Sequence, residues 1–192
     1  MFRLFRPRFQ PATIDSLYGV IVAQARVPDF YEEFGVADSA DGRFELVVLH
    51  LALMTRRLAR ESEGAALASA LVDRFGRDMD DNLREMGVGD LTVPKKMKRM
   101  FEALYGRTRV YQGALDETGS DALEAALRRN VFGGHEGAVA ALAAYVRRAA
   151  RELDAAAGGQ ILAGRLAFPA PRAILAELAM TRSAESPPDE TT

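Results

Sequence analysis

Apolar positions recur along the chain at the spacing of α-helices, and no stretch alternates like a half-buried strand between hairpin turns. Ile14, Leu17, Tyr18, Ile21 and Ala25 predict a first helix that opens at Pro11 or Thr13 and runs to about Ala25. Pro28 begins a short aromatic turn, Phe30-Tyr31-Phe34, closed by Gly35. From about Arg43 to Glu61 the pattern is apolar on every side, which predicts a buried central helix, with His50 inside it. A helix from Gly64 to Glu85 carries Leu67, Leu71, Phe75, Met79 and Met86 on one face, with Asn82 on the same side. Gly87-Val88-Gly89-Asp90 reads as a stop and turn. Pro94 then opens a helix to about Tyr105, with Met97, Met100, Phe101, Leu104 and Tyr105 on its apolar face.

Further along, Ser120 is placed to cap a helix over Asp121 to Val131, broken by Gly133-Gly134. An alanine-rich helix follows from His135 or Glu136 to about Ala157, a shorter one from Gln160 to Phe168, and a last one from Pro171 to about Thr181. The expectation is an all-α protein: one compact domain of seven to nine helices over residues 13–182. A basic, aromatic arm (residues 1–12) precedes it, and a disordered tail of prolines, acids and hydroxyls (residues 183–192) follows.

Composition narrows the chemistry. With 48% apolar residues in 192, the chain can bury a full core. It has no cysteine, which removes thiol catalysis, thiolate metal sites and disulfides. Two histidines make a histidine-based metal site or a Ser-His-Asp triad a poor fit, and a lone core histidine such as His50 is ordinarily neutral and hydrogen-bonded rather than a haem or metal ligand. The longest apolar run, Leu46 to Met54, is half a membrane span. A net charge of −2 gives no electrostatic footprint for specific nucleic-acid binding. The expectation is therefore a non-enzyme with no catalytic residues, metal or cofactor, located in the cytoplasm, with a peripheral place at the inner membrane left open.

Charge is segregated. Residues 61–90 hold eight acids against three arginines, whereas residues 93–112 hold six basic residues against Glu102 alone. Twenty-two of the 25 basic residues are arginine, and the three lysines, Lys95, Lys96 and Lys98, all fall in that basic segment. The plainer reading is an acidic and a basic helix attracting each other as an antiparallel pair, with Asp73–Arg77 and Asp80–Arg84 as i,i+4 pairs. The sharper one is a contact surface, since four of the seven methionines, Met79, Met86, Met97 and Met100, lie in the same stretch and methionine lines adaptable apolar grooves. A third reading takes Asp78-Met79-Asp80-Asp81 as half of a metal–diphosphate site, but the second acidic cluster that such chemistry needs is missing.

The segment Leu71 to Tyr111 resembles the signature of the ubiquinol–cytochrome c chaperone family: Asp-Met-Asp, Leu-Arg-Glu, Gly-Val-Gly-Asp, Lys-Lys-Met-Lys and Tyr-Gly-Arg occur in that order. Asp41-Gly42-Arg43-Phe44-Glu45-Leu46 with Leu49-His50-Leu51 is similar to the family's central helix, and the resemblance spans roughly Phe30 to Ala163. It implies an assembly factor that binds newly made cytochrome b before that subunit joins the cytochrome bc1 complex, here in a bacterial form. A ribosome or an anionic membrane surface is a further partner on this reading. Asp78, Asp80, Asp81 and Arg84, then Lys95, Lys96, Lys98, Arg99 and Arg107, with Met79, Met86, Met97 and Met100, are the candidate contact residues. The alternative is a general ribosome- or membrane-associated helical adaptor without a dedicated client.

Overall fold

The computed structural model describes residues 9–185. Among them are nine helices and no strand: α1 (Pro11–Ala25), α2 (Asp29–Glu32), α3 (Ala40–Leu58), α4 (Gly64–Glu85), α5 (Val93–Asp116), α6 (Asp121–Asn130), α7 (Val139–Ala155), α8 (Gly158–Leu162) and α9 (Pro171–Glu185). α3 is the axis, packed by α1, α4, α5 and α7, and every residue from Glu45 to Met54 is buried. That is how a helix apolar on all sides satisfies its surface. α6 bridges α5 and α7, and α9 lies on α7.

The boundaries differ from the sequence expectation where glycine misleads. α3 starts three residues before Arg43, because the Ser39 hydroxyl accepts from the Gly42 amide at 3.1 Å and caps it. Gly42 belongs to the first turn because a side chain there would collide with the Ala37 carbonyl, so its glycine marks close approach and not a turn. α5 runs eleven residues past Tyr105, to Asp116. Gly106 and Gly113 lie on its open side with nothing near, and Tyr111 and Ala114 of the added length are buried.

α7 opens at Val139 instead of His135 or Glu136. Gly133 and Gly134 both have positive φ, and the Ala138 amide is tied to the Phe34 carbonyl, so residues 133–138 form a loop. The Ser120 hydroxyl makes no capping bond to α6. α8 stops at Leu162, where Gly164 turns the chain with φ +78°. α9 extends through Glu185, three residues into the segment expected as tail, and α1 already begins at Pro11 within the expected arm. The rest of that arm, residues 1–8, and of that tail, residues 186–192, lies outside the described residues.

Two polar networks are built into the core. Glu45 is 7% exposed and holds Arg107 of α5 in a two-point ion pair at 2.5 Å. Arg57, 5% exposed, donates to the Leu153 carbonyl at 2.7 Å and the Ala156 carbonyl at 2.9 Å, and to Glu61 at 2.6 Å. A cation bonded to the carbonyls at the end of α7 satisfies groups the helix itself leaves unpaired.

A candidate client groove

α4 and α5 lean together, but not through their charges. Phe101 of α5 sits over Gly76 of α4, where a Cβ would stand 2.7 Å from the ring, and Phe75 meets the same ring edge-on at 6.1 Å between centroids. Among the described residues no ion pair joins an acid of α4 to a base of α5. Arg84 is bonded to Asp80 within α4 and to Asp90 in the turn, and Lys98 reaches Glu102 at 3.7 Å within α5. Asp80–Arg84 forms as expected at 2.6 Å, whereas Asp73 and Arg77 do not pair. The segregated charges thus form no direct ion pair between the two helices, and Lys95, Lys96 and Arg99 stand exposed without an ionic partner.

A groove of about 640 Å³ opens where the C-terminal half of α4 and the first turns of α5 splay from α1 and the start of α3. Phe44 and Val47 of α3 supply apolar lining, with Val22 of α1, Met79 and Leu83 of α4, and Met100 and Ala103 of α5 around them. The rim is charged. Asp38 and Arg43 neutralise each other at 2.7 Å, and the guanidinium holds the Asp38 carboxyl below the ordinary carboxylate range. Asp78 accepts from the Tyr18 hydroxyl at 2.9 Å and lies 3.6 Å from Arg74, which also covers the Tyr18 ring. Burial, and then the negative charge of Asp78, push the Tyr18 hydroxyl well above its ordinary pKa. Arg26, Lys96 and Arg99 remain on the rim with no ion pair, against Asp41 as the acid without one.

Of the candidate contact residues, the groove gathers Asp78, Met79, Met86, Lys96, Arg99 and Met100. Met86, expected on the core face of its helix, is 67% exposed, because α4 overruns the body of the protein there. Asp80, Asp81 and Arg84 lie off the groove on α4, and Lys95, Lys98 and half-buried Met97 lie off it on α5. Arg107 is committed to Glu45. The wall contributed by Val22, Arg26 and the segment Asp38 to Val47 is absent from the sequence-predicted contact residues, although Asp41 to Leu46 within it carries the motif similar to the family's central helix.

A second hollow, of about 670 Å³, lies between α6 and the loop before α7, and its lining of glycine, alanine and Val139 with Glu124, Arg128, His135 and Glu136 offers little apolar grip.

His50 is fully buried, and both ring nitrogens are occupied. Nδ1 donates to the Leu46 carbonyl at 2.7 Å, and Nε2 accepts from the Tyr145 hydroxyl at 2.8 Å. The Tyr145 oxygen in turn accepts from Gln24 Nε2 at 3.0 Å, which also meets the Pro169 carbonyl. This chain sets the tautomer, since a carbonyl accepts only from an N–H. Burial pushes the imidazole pKa down to about 4, and Phe30, Tyr145 and Phe168 surround the ring edge-on. His50 is a structural group, with no free nitrogen for an iron. The aspartates of Asp78-Met79-Asp80-Asp81 diverge, Asp78 toward Tyr18 and Asp80 toward Arg84. Among the described residues no group of three or more histidine, aspartate or glutamate side chains is placed to hold a metal, and no helix is long and apolar enough to cross a membrane.

No curated protein matches the chain. The crystal structure of the Cbp3 homolog from Brucella abortus is similar to it, at 37% sequence identity and a TM-score of 0.77, over 84% of this chain and 91% of that one. The family model described as ubiquinol-cytochrome C chaperone matches residues 32–168, which include the floor of the groove and the whole α4–α5 hairpin. With most of its length matched and the fold in common, the chain belongs to the ubiquinol-cytochrome C chaperone family.

Proposed function

We propose that the protein is an assembly chaperone of the cytochrome bc1 complex, and that it holds an apolar segment of newly synthesised cytochrome b in the groove between α1, α3, α4 and α5. The observation that carries this reading is the groove itself: an open apolar trough with three methionines and unpaired rim cations, in a member of a chaperone family. Methionine suits a client whose side chains vary along its length, because the unbranched thioether repacks at little cost. Each large apolar side chain that the trough covers adds about 1.5–3 kcal/mol, enough for a hold that two or three side chains make firm but reversible. Arg26, Lys96 and Arg99 favour a segment with an acidic group beside its apolar run. Work at the cytoplasmic side, without a catalytic step, belongs to the same reading.

The test is site-specific photocrosslinking in cells that make the bc1 complex, with the reactive side chain at Met79, Met86 or Met100, and at Glu124 in the second hollow as the control. Adducts with cytochrome b from the groove positions, free of the other bc1 subunits, are expected. Adducts with many unrelated proteins, or with cytochrome b from Glu124 equally, would move the general adaptor to first place.

A further inference from the structure

The α4–α5 turn carries an apolar residue, Leu91, that neither the core nor the groove uses. Leu91 is 98% exposed, and Met86 is 67% exposed five residues before it. A side chain built on Gly87 or Gly89 would meet nothing within 4 Å, so the turn stands clear of the body. A leucine fully in water at a projecting tip loses the stabilisation its burial would supply, and nothing else in the turn needs an apolar residue there.

Directly behind the tip, the first turns of α5 present Lys95, Lys96, Lys98 and Arg99, all exposed, with only Glu102 among them as a counter-charge. The nearby acids lie on α4 and in the turn, not on this face of α5: Asp90 shares Arg84 with Asp80, and Asp81 and Glu85 have no ion pair, so the positive side of the tip is the α5 side. The three lysines of the chain all lie here, among 22 arginines elsewhere and in this patch. A long flexible stem with a compact ammonium can follow a headgroup layer, keeping its charge in water while its methylenes lie against lipid.

We propose that the α4–α5 tip docks on an anionic lipid bilayer, with Leu91 and Met86 entering the headgroup–acyl boundary and Lys95, Lys96, Lys98 and Arg99 on the phosphates. Cations around an apolar point complement an anionic headgroup layer, the pairing that interfacial anchors use. RNA would meet the same cations but gives Leu91 no apolar phase. Because Met86, Lys96 and Arg99 also line the groove, docking in this way sets the groove mouth at the membrane surface, where an apolar client segment emerges. The proposal goes beyond the client reading and its test needs no client, so the two fail separately.

The chain has no cysteine, so Leu91→Cys accepts a single environment-sensitive fluorophore on the full-length protein, and Met180→Cys, at an exposed site on α9, serves as the control. Vesicles of phosphatidylcholine alone are compared with vesicles of phosphatidylcholine and phosphatidylglycerol in equal parts. The expected result is a blue-shifted, brighter label at position 91 on the anionic vesicles only, reversed by high salt, with the label at 180 unchanged. Lys95→Gln with Lys98→Gln, two residues outside the groove, should weaken that binding about 25-fold, since each lysine beside an anionic surface contributes about a fivefold factor.

The label at 91 separates docking by the tip from attachment through the basic residues Arg3, Arg6 and Arg8. A protein that binds the vesicles while the label at 91 stays in water overturns the proposal. So does no binding, equal binding to phosphatidylcholine alone, or an affinity indifferent to the two lysines. A response to RNA that exceeds the response to vesicles overturns it as well, and reassigns the patch.

Discussion

Lowering the pH should unfold this protein partly through one residue, His50. Its imidazole lies at about 4 in the folded chain, against the ordinary value of 6.5, because burial disfavours the cation. Between those two values the unfolded chain takes up a proton that the folded chain refuses, so protons favour the unfolded state. The contribution of His50 is therefore complete above 6.5, falls as the pH drops through the window, and stops changing below about 4. Over the whole window the displacement corresponds to about 3 kcal/mol, of which about 2.5 kcal/mol is lost between about pH 7.5 and about pH 4.5.

Urea unfolding midpoints across that range, for the natural chain and for His50→Gln, measure it directly. The variant loses the Nδ1 bond to Leu46 and should be less stable at neutral pH by about 1–2 kcal/mol. Its curve should be flatter, and the two should converge as the pH falls. Glu45, whose carboxyl burial pushes up, titrates alike in both chains and drops out of the difference. Parallel curves would refute the reasoning, since they would mean that the buried imidazole accepts its proton without unfolding.

Arg107→Ala should cost about 3 kcal/mol in denaturant melts, because it strands the Glu45 carboxylate away from water, and adding Glu45→Met should recover most of that loss. Client binding should follow stability in both, as befits a residue of the fold and not of the groove. Arg57→Leu should cost about 3 kcal/mol by leaving the carbonyls of Leu153 and Ala156 without their donor. Amide hydrogen exchange at the end of α7 should then quicken well before exchange in α3 does.

Much of the helix inventory was legible because burial of one face is a local, periodic property. The bounds of α4, Gly64 and Glu85, stand where the pattern put them, and α3 is as buried as its unbroken apolar run implied. The errors cluster at glycine, whose meaning depends on what approaches it. Gly42 is tight against the Ala37 carbonyl, Gly106 faces open space, and a one-dimensional pattern reads both as breaks. The groove was half legible. Met79, Met86 and Met100 were marked by type and spacing, and Lys96 and Arg99 by a charge run. The start of α3 carried a recognisable motif, but its place in a groove wall with α1 was not legible, because Val22 and Phe44 take part only once the chain has brought two distant segments beside α4.

By itself, then, the sequence determined the class of fold, the central place of α3, the segregation of charge and, through the order of its motifs, the family. Tertiary structure decided which charges are spent and which are free. Arg107 and Arg57 look like any surface cations in the sequence, yet one holds a buried carboxylate and the other caps α7, while Lys95, Lys96 and Arg99 face water beside an acidic helix with which they form no ion pair. The reason is range: helical periodicity repeats within four residues, whereas an ion pair or a groove wall forms between positions that only packing brings within a few ångströms.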